Sequence, residues 1–277
     1  MYKPFAKLLT FWIPGKSRRH KARSKLVNYS PVKDYLHGFY VKKYLEKKSK
    51  RGKARVVIYS AVAGNFDKLR NHQYLIDDFD YVLYTDEMVD GLYAWEIRPM
   101  KEYYHKLPVR RAKYYKMFPD KLFPEYEYSV WIDGKWEITG NDIETRVKQL
   151  IEMNAAIACM PHPRRNCIYK EAEICKELNL DNHPLIDRQM AFFHEQGYPE
   201  ENGLYEMSIM FRKHHALEVK KLMLDWWSIV EDYSSRDQLS FSYCLWKNNF
   251  VVADLFTQKD SPAAGNNAEY RFWSHNV

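Results

Sequence analysis

The chain has 277 residues, of which 46% are hydrophobic and 16% aromatic, enough apolar material for one large core or two small ones and too much for a disordered body. Its formal net charge of +7 is unevenly placed: through Arg55 there are 17 basic residues against 2 acids, and beyond it 26 bases against 34 acids. The mildly acidic body argues against a basic nucleic-acid-binding face, and four cysteines (Cys159, Cys167, Cys175, Cys244) without paired metal spacing read as reduced thiols.

Residues 1–54 read as a basic, membrane-surface segment and linker, followed by a folded domain over 55–277. Phe5, Leu8, Leu9, Phe11, Trp12 and Ile13 form a short apolar patch ended by Pro14-Gly15. It is far shorter than the roughly 20 residues that span a bilayer. Lys7 interrupts it, and arginines stand where a signal peptide would have small residues at its cleavage site. Lys16, Arg18, Arg19, Lys21, Arg23 and Lys25 follow at once. An aromatic wedge beside a basic cluster suits an anionic leaflet, each charge near it contributing about 1 kcal/mol. The plainer alternative is a solvated basic tail, or one that binds RNA loosely. Residues 46–55 read as a charged linker.

Arg55–Ser60 is predicted as a first buried strand, with a loop of small residues from Ala61 to Asp67. Phe79–Tyr84 reads as a second strand ending in Thr85-Asp86, and Trp95–Arg98 as a short third. Pro108 opens a helix through Met117, proline being favoured at a first helical position. Ser129–Ile132 is a strand that stops at Asp133-Gly134. A helix over Asp142–Met153, a strand over Ala155–Met160 and helices over Ile168–Asn179 and Pro184–Gln196 come next. Met207–Phe211 reads as a strand, Leu217–Val230 and Asp237–Trp246 as helices, and Phe250–Leu255 as a final strand. Strands alternating with helices predict an α/β fold with a mainly parallel central sheet and helices on both faces.

In open α/β sheets, ligands bind at the carboxyl ends of the strands. Asp133 there can hold a divalent cation, and Gly134 lets a ligand approach the backbone; an ordinary Asp-Gly turn is the bland alternative. Ser235 is placed to cap a helix whose first turn holds Arg236, Asp237 and Gln238, a polar cluster facing the Asp133 site or simply a complement to the helix dipole. His162-Pro163-Arg164-Arg165 follows another strand, joining an imidazole fit for metal to guanidiniums fit for phosphate. Arg110, Arg111, Lys113 and Lys116 crowd one helix, read mainly as surface charges with one or two able to reach a phosphate. Acid plus cations points to a substrate with anionic oxygens, and a nucleoside diphosphate sugar fits.

Lys116, Leu122-Phe123-Pro124, Tyr128 through Lys135, His162–Arg165 with Glu171-Ala172-Glu173, Gln196-Gly197 and Arg236 through Phe241 together resemble the glycosyltransferase-like domain of plant mucilage- and turgor-related proteins. That domain was long catalogued as of unknown function and occurs also in bacteria. The resemblance runs from about Arg55 to Trp246. It implies a GT-A-like nucleotide-sugar transferase fold, a UDP-sugar donor with Mn²⁺ or Mg²⁺, a glycan or lipid-linked acceptor, and a place in bacterial surface-polysaccharide synthesis at the cytoplasmic face of the inner membrane. Phe11 through Arg19 is similar to segments of bacterial lipopolysaccharide and capsule glycosyltransferases.

On that likeness Tyr59 and Ala61 lie near the base and Asp86 contacts the nucleotide. Asp133 binds metal or diphosphate beside Gly134, with His162 as a second metal ligand, while Lys116, His162 and Arg165 serve phosphate or metal. Asp237 is the catalytic or sugar-orienting carboxylate, flanked by Arg236 and Gln238. The sequence departs from the wider GT-A pattern in one respect: many such enzymes carry Asp-x-Asp, and here Lys135 stands in the second acid's place. Either another group completes a metal site or Lys135 replaces part of the cation's charge. A non-catalytic glycan-binding module and a metal-dependent phosphodiesterase or nuclease are the rival classes.

Overall fold

The computed structural model describes Arg18 and residues 30–67, 70–89, 91 and 93–274. The apolar patch and most of the basic cluster of the N-terminal segment lie outside these residues. Among the described residues, no helix is long and apolar enough to cross a membrane.

Nine strands are present: β1 (Val56–Val62), β2 (Phe79–Thr85), β3 (Glu96–Pro99), β4 (Tyr128–Ile132), β5 (Trp136–Ile138), β6 (Ile157–Pro161), β7 (Tyr205–Arg212), β8 (Ala253–Asp254) and β9 (Tyr270–Phe272) among the described residues. Seven form one sheet in the order β3-β2-β1-β4-β7-β6-β8. All run parallel except β7, which is antiparallel to both neighbours. The expected mainly parallel α/β sheet is therefore present.

Strand side chains alternate between faces, and the core divides accordingly. Val57, Tyr59 and Trp131 point into one layer, with Tyr115 and Met117 of α2 (Pro108–Met117), Trp226 of α7 (Leu217–Asp232) and Phe241 of α8 (Gln238–Lys247). Val56, Ile58 and Val130 point into the other, with Val41 and Tyr44 of α1 (Ser30–Lys50) and Val147 of α4 (Asp142–Glu152). Strands buried on both faces are continuous apolar runs, as β1 and β4 are. The remaining helices are α3 (Pro119–Leu122), α5 (Ile168–Glu177) and α6 (His183–Glu195), the last capped by Asn182, whose side chain accepts from the Leu185 N–H.

Three sequence expectations change. Residues 46–55 are not a linker: they complete α1 and its exit. The Tyr44 hydroxyl donates to the Phe79 carbonyl at 2.8 Å, and Arg51 and Lys48 both pair with Asp80. The final strand over Phe250–Leu255 shrinks to Ala253–Asp254, paired only with Ala158 and Cys159, and Val251 is exposed. A two-stranded antiparallel sheet of β5 and β9, not expected from the sequence, brings Tyr270–Phe272 back to β5; the Trp273 N–H donates to the Lys135 carbonyl at 2.9 Å.

Candidate active site

Because β1, β2 and β4 are parallel and in register, with Val62 opposite Thr85 and Tyr59 opposite Trp131, their carboxyl ends share one edge of the sheet. Ala61–Gly64, Asp86 and Asp133 emerge there. The β1–β4 boundary is where an open α/β sheet leaves a crevice for ligands. A cavity of about 320 Å³ occupies it, walled by Ala61–Gly64, Phe66 and Asp67, by Leu107–Val109, Ala112 and Lys113 of α2 and its approach, and by Trp131, Asp133 and Gly134.

Gly134 makes this wall possible. A β-carbon there would lie 2.9 Å from an Asp67 carboxylate oxygen and 3.1 Å from Val62 Cγ2, so glycine lets the β4 turn approach the loop after β1. Gly64, at φ +64°, would meet Pro108 in the same way. Its N–H donates to Asp86 Oδ1 at 2.9 Å, and Arg111 pairs with the other carboxylate oxygen at 2.7 Å. Asp86 thus fastens the loop from behind instead of lining the cavity.

Asp133 and Asp237 meet through one lysine. The buried Lys116 Nζ donates to Asp237 Oδ2 at 2.5 Å and to the Met207 carbonyl at 2.6 Å, and lies 4.0 Å from Asp133 Oδ1. Trp131 and Trp226 present ring faces to the same ammonium. Lys113, one helical turn earlier, reaches Asp237 Oδ2 at 2.8 Å. Asp133 Oδ1 also accepts from the Trp131 indole N–H at 2.7 Å, and Oδ2 lies 3.5 Å from Lys135 Nζ. Burial pushes both carboxyls up, but the lysines outweigh it and hold both below the usual carboxylate range, Asp237 far below. Burial pulls Lys113 down against the pull of Asp237. It pulls Lys135 down too, but Asp133 and Glu206 outweigh it and leave Lys135 raised.

The loop bearing Asp237 is held from three sides. Arg110 donates to the carbonyls of Val230, Glu231 and Tyr233, capping the end of α7. Asp181 accepts from Ser234 Oγ and from both the N–H and the Oγ of Ser235, and Gln189 accepts from the Ser234 N–H. Asp237 itself caps α8, its side chain accepting from the Gln238 N–H at 3.1 Å; the cap expected of Ser235 is not formed because Asp181 takes that hydroxyl. Arg236 Nε and Gln238 Nε2 are buried without a partner in the structure. Such atoms are uncommon in folded proteins, and here two of them flank Asp237 in the chain.

Residues 82–262 match the family model described as TOD1/MUCI70, glycosyltransferase-like domain. The chain belongs to this family. Among its relatives is the "Probable hexosyltransferase MUCI70" of Arabidopsis thaliana, 27% identical over 227 residues; the alignment covers 72% of this chain and 38% of that protein, so the chain spans well under half of the relative's length. Solved structures with some likeness include the WbbM bifunctional glycosyltransferase (11% identity, TM-score 0.38, covering 72% of this chain and 38% of that one) and mouse xyloside xylosyltransferase 1 (9% identity, TM-score 0.43, covering 73% and 86%). The matched stretch includes Lys116, Asp133 and Asp237 but not β1.

Several sequence-predicted residues sit elsewhere than expected. Tyr59 is wholly buried and cannot touch a base; its hydroxyl donates to the Lys116 carbonyl at 2.8 Å, and Arg212 donates to the same carbonyl at 2.6 Å. It braces Lys116 from beneath, while Ala61 does line the cavity. His162 and Arg165 face a second cavity of about 420 Å³, together with Lys135, Arg164, Glu206 and Phe272. There His162 Nδ1 accepts from the Arg165 N–H at 3.0 Å, and Arg165 pairs with Glu171. Burial pushes the imidazole's pKa down. Lys135 borders both sites, since it also faces Asp133.

Among the described residues, no group of three or more His, Cys, Asp or Glu is placed to hold a metal. Magnesium is often held by one or two carboxylates with substrate phosphates, so a lone Asp133 is not disqualifying. The ammonium groups weigh more. Unit charges 4 Å apart interact by about 4 kcal/mol at an effective dielectric near 20, and a doubly charged ion on Asp133 would face Lys116 and Lys135 at close range. Three lysines against two aspartates leave a residual positive charge, which suits an anion.

Proposed function

We propose that this chain transfers a sugar from a nucleotide-sugar donor, in the first instance a UDP-sugar, to a glycan or lipid-linked acceptor in surface-polysaccharide synthesis. The observation that supports this most directly is the Asp133–Lys116–Asp237 bridge, which joins the cavity between β1 and α2 through Asp133 and, through the Asp237 partner Lys113, lines it with an ammonium group. In this reading the nucleoside enters between Ala61–Gly64 and α2, where Phe66, Leu107 and Val109 give the base an apolar seat. Its diphosphate lies against Lys113 and the Asp133-Gly134 turn.

On transfer, the bond from sugar C1 to the diphosphate oxygen breaks and its electron pair leaves with the diphosphate. An acceptor hydroxyl oxygen bonds to C1, and its proton passes to a base on the acceptor side. The second cavity is the natural acceptor seat, and Glu206 is the carboxylate among its lining residues. Asp237 is a poor base, since a carboxylate held this acidic takes protons weakly; it orients Lys113 and Lys116 and the donor's hydroxyls. The basic N-terminal segment brings the chain to an anionic membrane surface on the cytoplasmic side.

A panel of nucleotide sugars assayed for release of nucleoside diphosphate tests the reading. One donor is expected to turn over, faster with acceptor glycan, and Lys113→Ala to lower the rate at least tenfold at a temperature where its melting curve shows it still folded. Glycan binding without turnover of any donor would instead favour a non-catalytic binding module.

A further inference from the structure

In enzymes that use a metal ion at the donor diphosphate, the cation sits beside carboxylates and shields the departing charge. Here the second carboxylate is replaced by Lys135, whose Nζ stands 3.5 Å from Asp133 Oδ2. The other oxygen of Asp133 accepts the Trp131 indole N–H and faces Lys116 at 4.0 Å. Asp237 Oδ2 is held by both Lys113 and Lys116. Neither aspartate presents an oxygen free of cationic or N–H neighbours to a metal ion. Of these lysines, Lys113 lines the donor cavity and Lys135 the adjoining one, so ammonium groups approach the Asp133-Gly134 turn from both sides. Arg236, with its buried unpartnered Nε, acts electrostatically on Lys135 and adds a further cation, against one more anion at Glu206.

We propose that this site binds a nucleoside diphosphate without a divalent metal, Lys113 and Lys135 contacting the diphosphate and Lys116 holding the two aspartates that position them. The inference rests on the nucleotide-sugar reading above and specifies how that site meets its ligand's charge. Lysine is a compact point charge with three donors. Two ammonium groups on either side of a diphosphate can supply the neutralisation otherwise given by one divalent ion. The aspartates then serve to aim the lysines.

Calorimetric titration of the whole chain with UDP, once in EDTA and once in excess MnCl₂, tests this, with GDP and ADP run alongside. The expected result is binding of one nucleotide with a Kd that differs less than about threefold between the two conditions. Lys135→Asp returns a second acid two residues after Asp133. It should lose at least tenfold in affinity in EDTA and regain it with Mn²⁺, while Lys135→Gln loses affinity in both. Wild-type binding that requires Mn²⁺ would overturn the proposal and leave the donor-site reading standing. Lys135→Asp and Lys135→Gln binding as tightly as wild type in EDTA would remove Lys135 from it. Failure of all three nucleotides under both conditions would defeat the donor-site reading itself and the inference with it.

Discussion

A lysine buried to 1% exposure gives up several kcal/mol of hydration, which only a well-placed partner returns. Lys116 has two hydrogen-bonded oxygens, on Asp237 and Met207, and two indole faces. Asp237 depends on it in turn. Asp237→Asn should cost about 3–5 kcal/mol at neutral pH, the usual loss when one member of a buried pair is removed. The sign with pH follows from the depressed carboxyl of Asp237. Its contribution is present above the unfolded value, about 3.9, and is lost as pH falls below that toward the folded value. The gap between the urea midpoints of wild type and variant should therefore hold from pH 6 down to about 4 and narrow below it; a gap that stays constant as the pH falls further would contradict the assignment. The Asp133 and Asp237 motifs were legible as residues, but their lysine bridge was not. Lys113 and Lys116 stand three apart and so share a helix face, which was the available signal; in a helix with four basic residues it did not show which face was buried.

At the scale of elements, α2 does more than its sequence announced. Arg110 caps α7, Arg111 holds Asp86, and Lys113 and Lys116 hold Asp237, so none of the four is a plain surface charge. The turn after β4 is as demanding. Gly134→Ala would press its new methyl group against Asp67 and Val62, at a cost of about 1–3 kcal/mol for overpacking. It should also widen the cavity mouth and weaken UDP binding severalfold, read by thermal melting and calorimetry together. Wild-type affinity in that variant would show that the close approach of β4 to the β1 loop is irrelevant to the ligand. Strands β1, β2 and β4 were readable because burial on both faces makes them continuous apolar runs. Helix α1 was missed because its basic composition hides an apolar contact centred on Val41 and Tyr44, three residues apart, with Leu45 partly buried beside them. The β5–β9 pair was missed because each strand is three residues long and its partner lies over 130 positions away.

Across the whole molecule, strand polarity brings the chemistry together. With β7 alone reversed, the carboxyl ends of β1, β2, β4 and β6 and the amino end of β7 share one edge. Ala61, Asp86, Asp133, His162 and Glu206 therefore gather there from positions far apart in sequence, and α7 and α8 deliver Asp237 to the same place. The alternation of strands and helices made a mainly parallel sheet predictable. Two neighbouring cavities could not be foreseen, because His162 and Arg165 sit at the expected edge but one strand pair removed from the β1–β4 crevice. The most direct measurement is a crystal structure of the chain with UDP. The diphosphate should lie between Ala61–Gly64 and Asp133-Gly134, within hydrogen-bonding distance of Lys113 and Lys135, with the uracil on the apolar wall of Phe66, Leu107 and Val109. Nucleotide bound away from the β1–β4 crevice, with neither lysine in contact, would contradict the account.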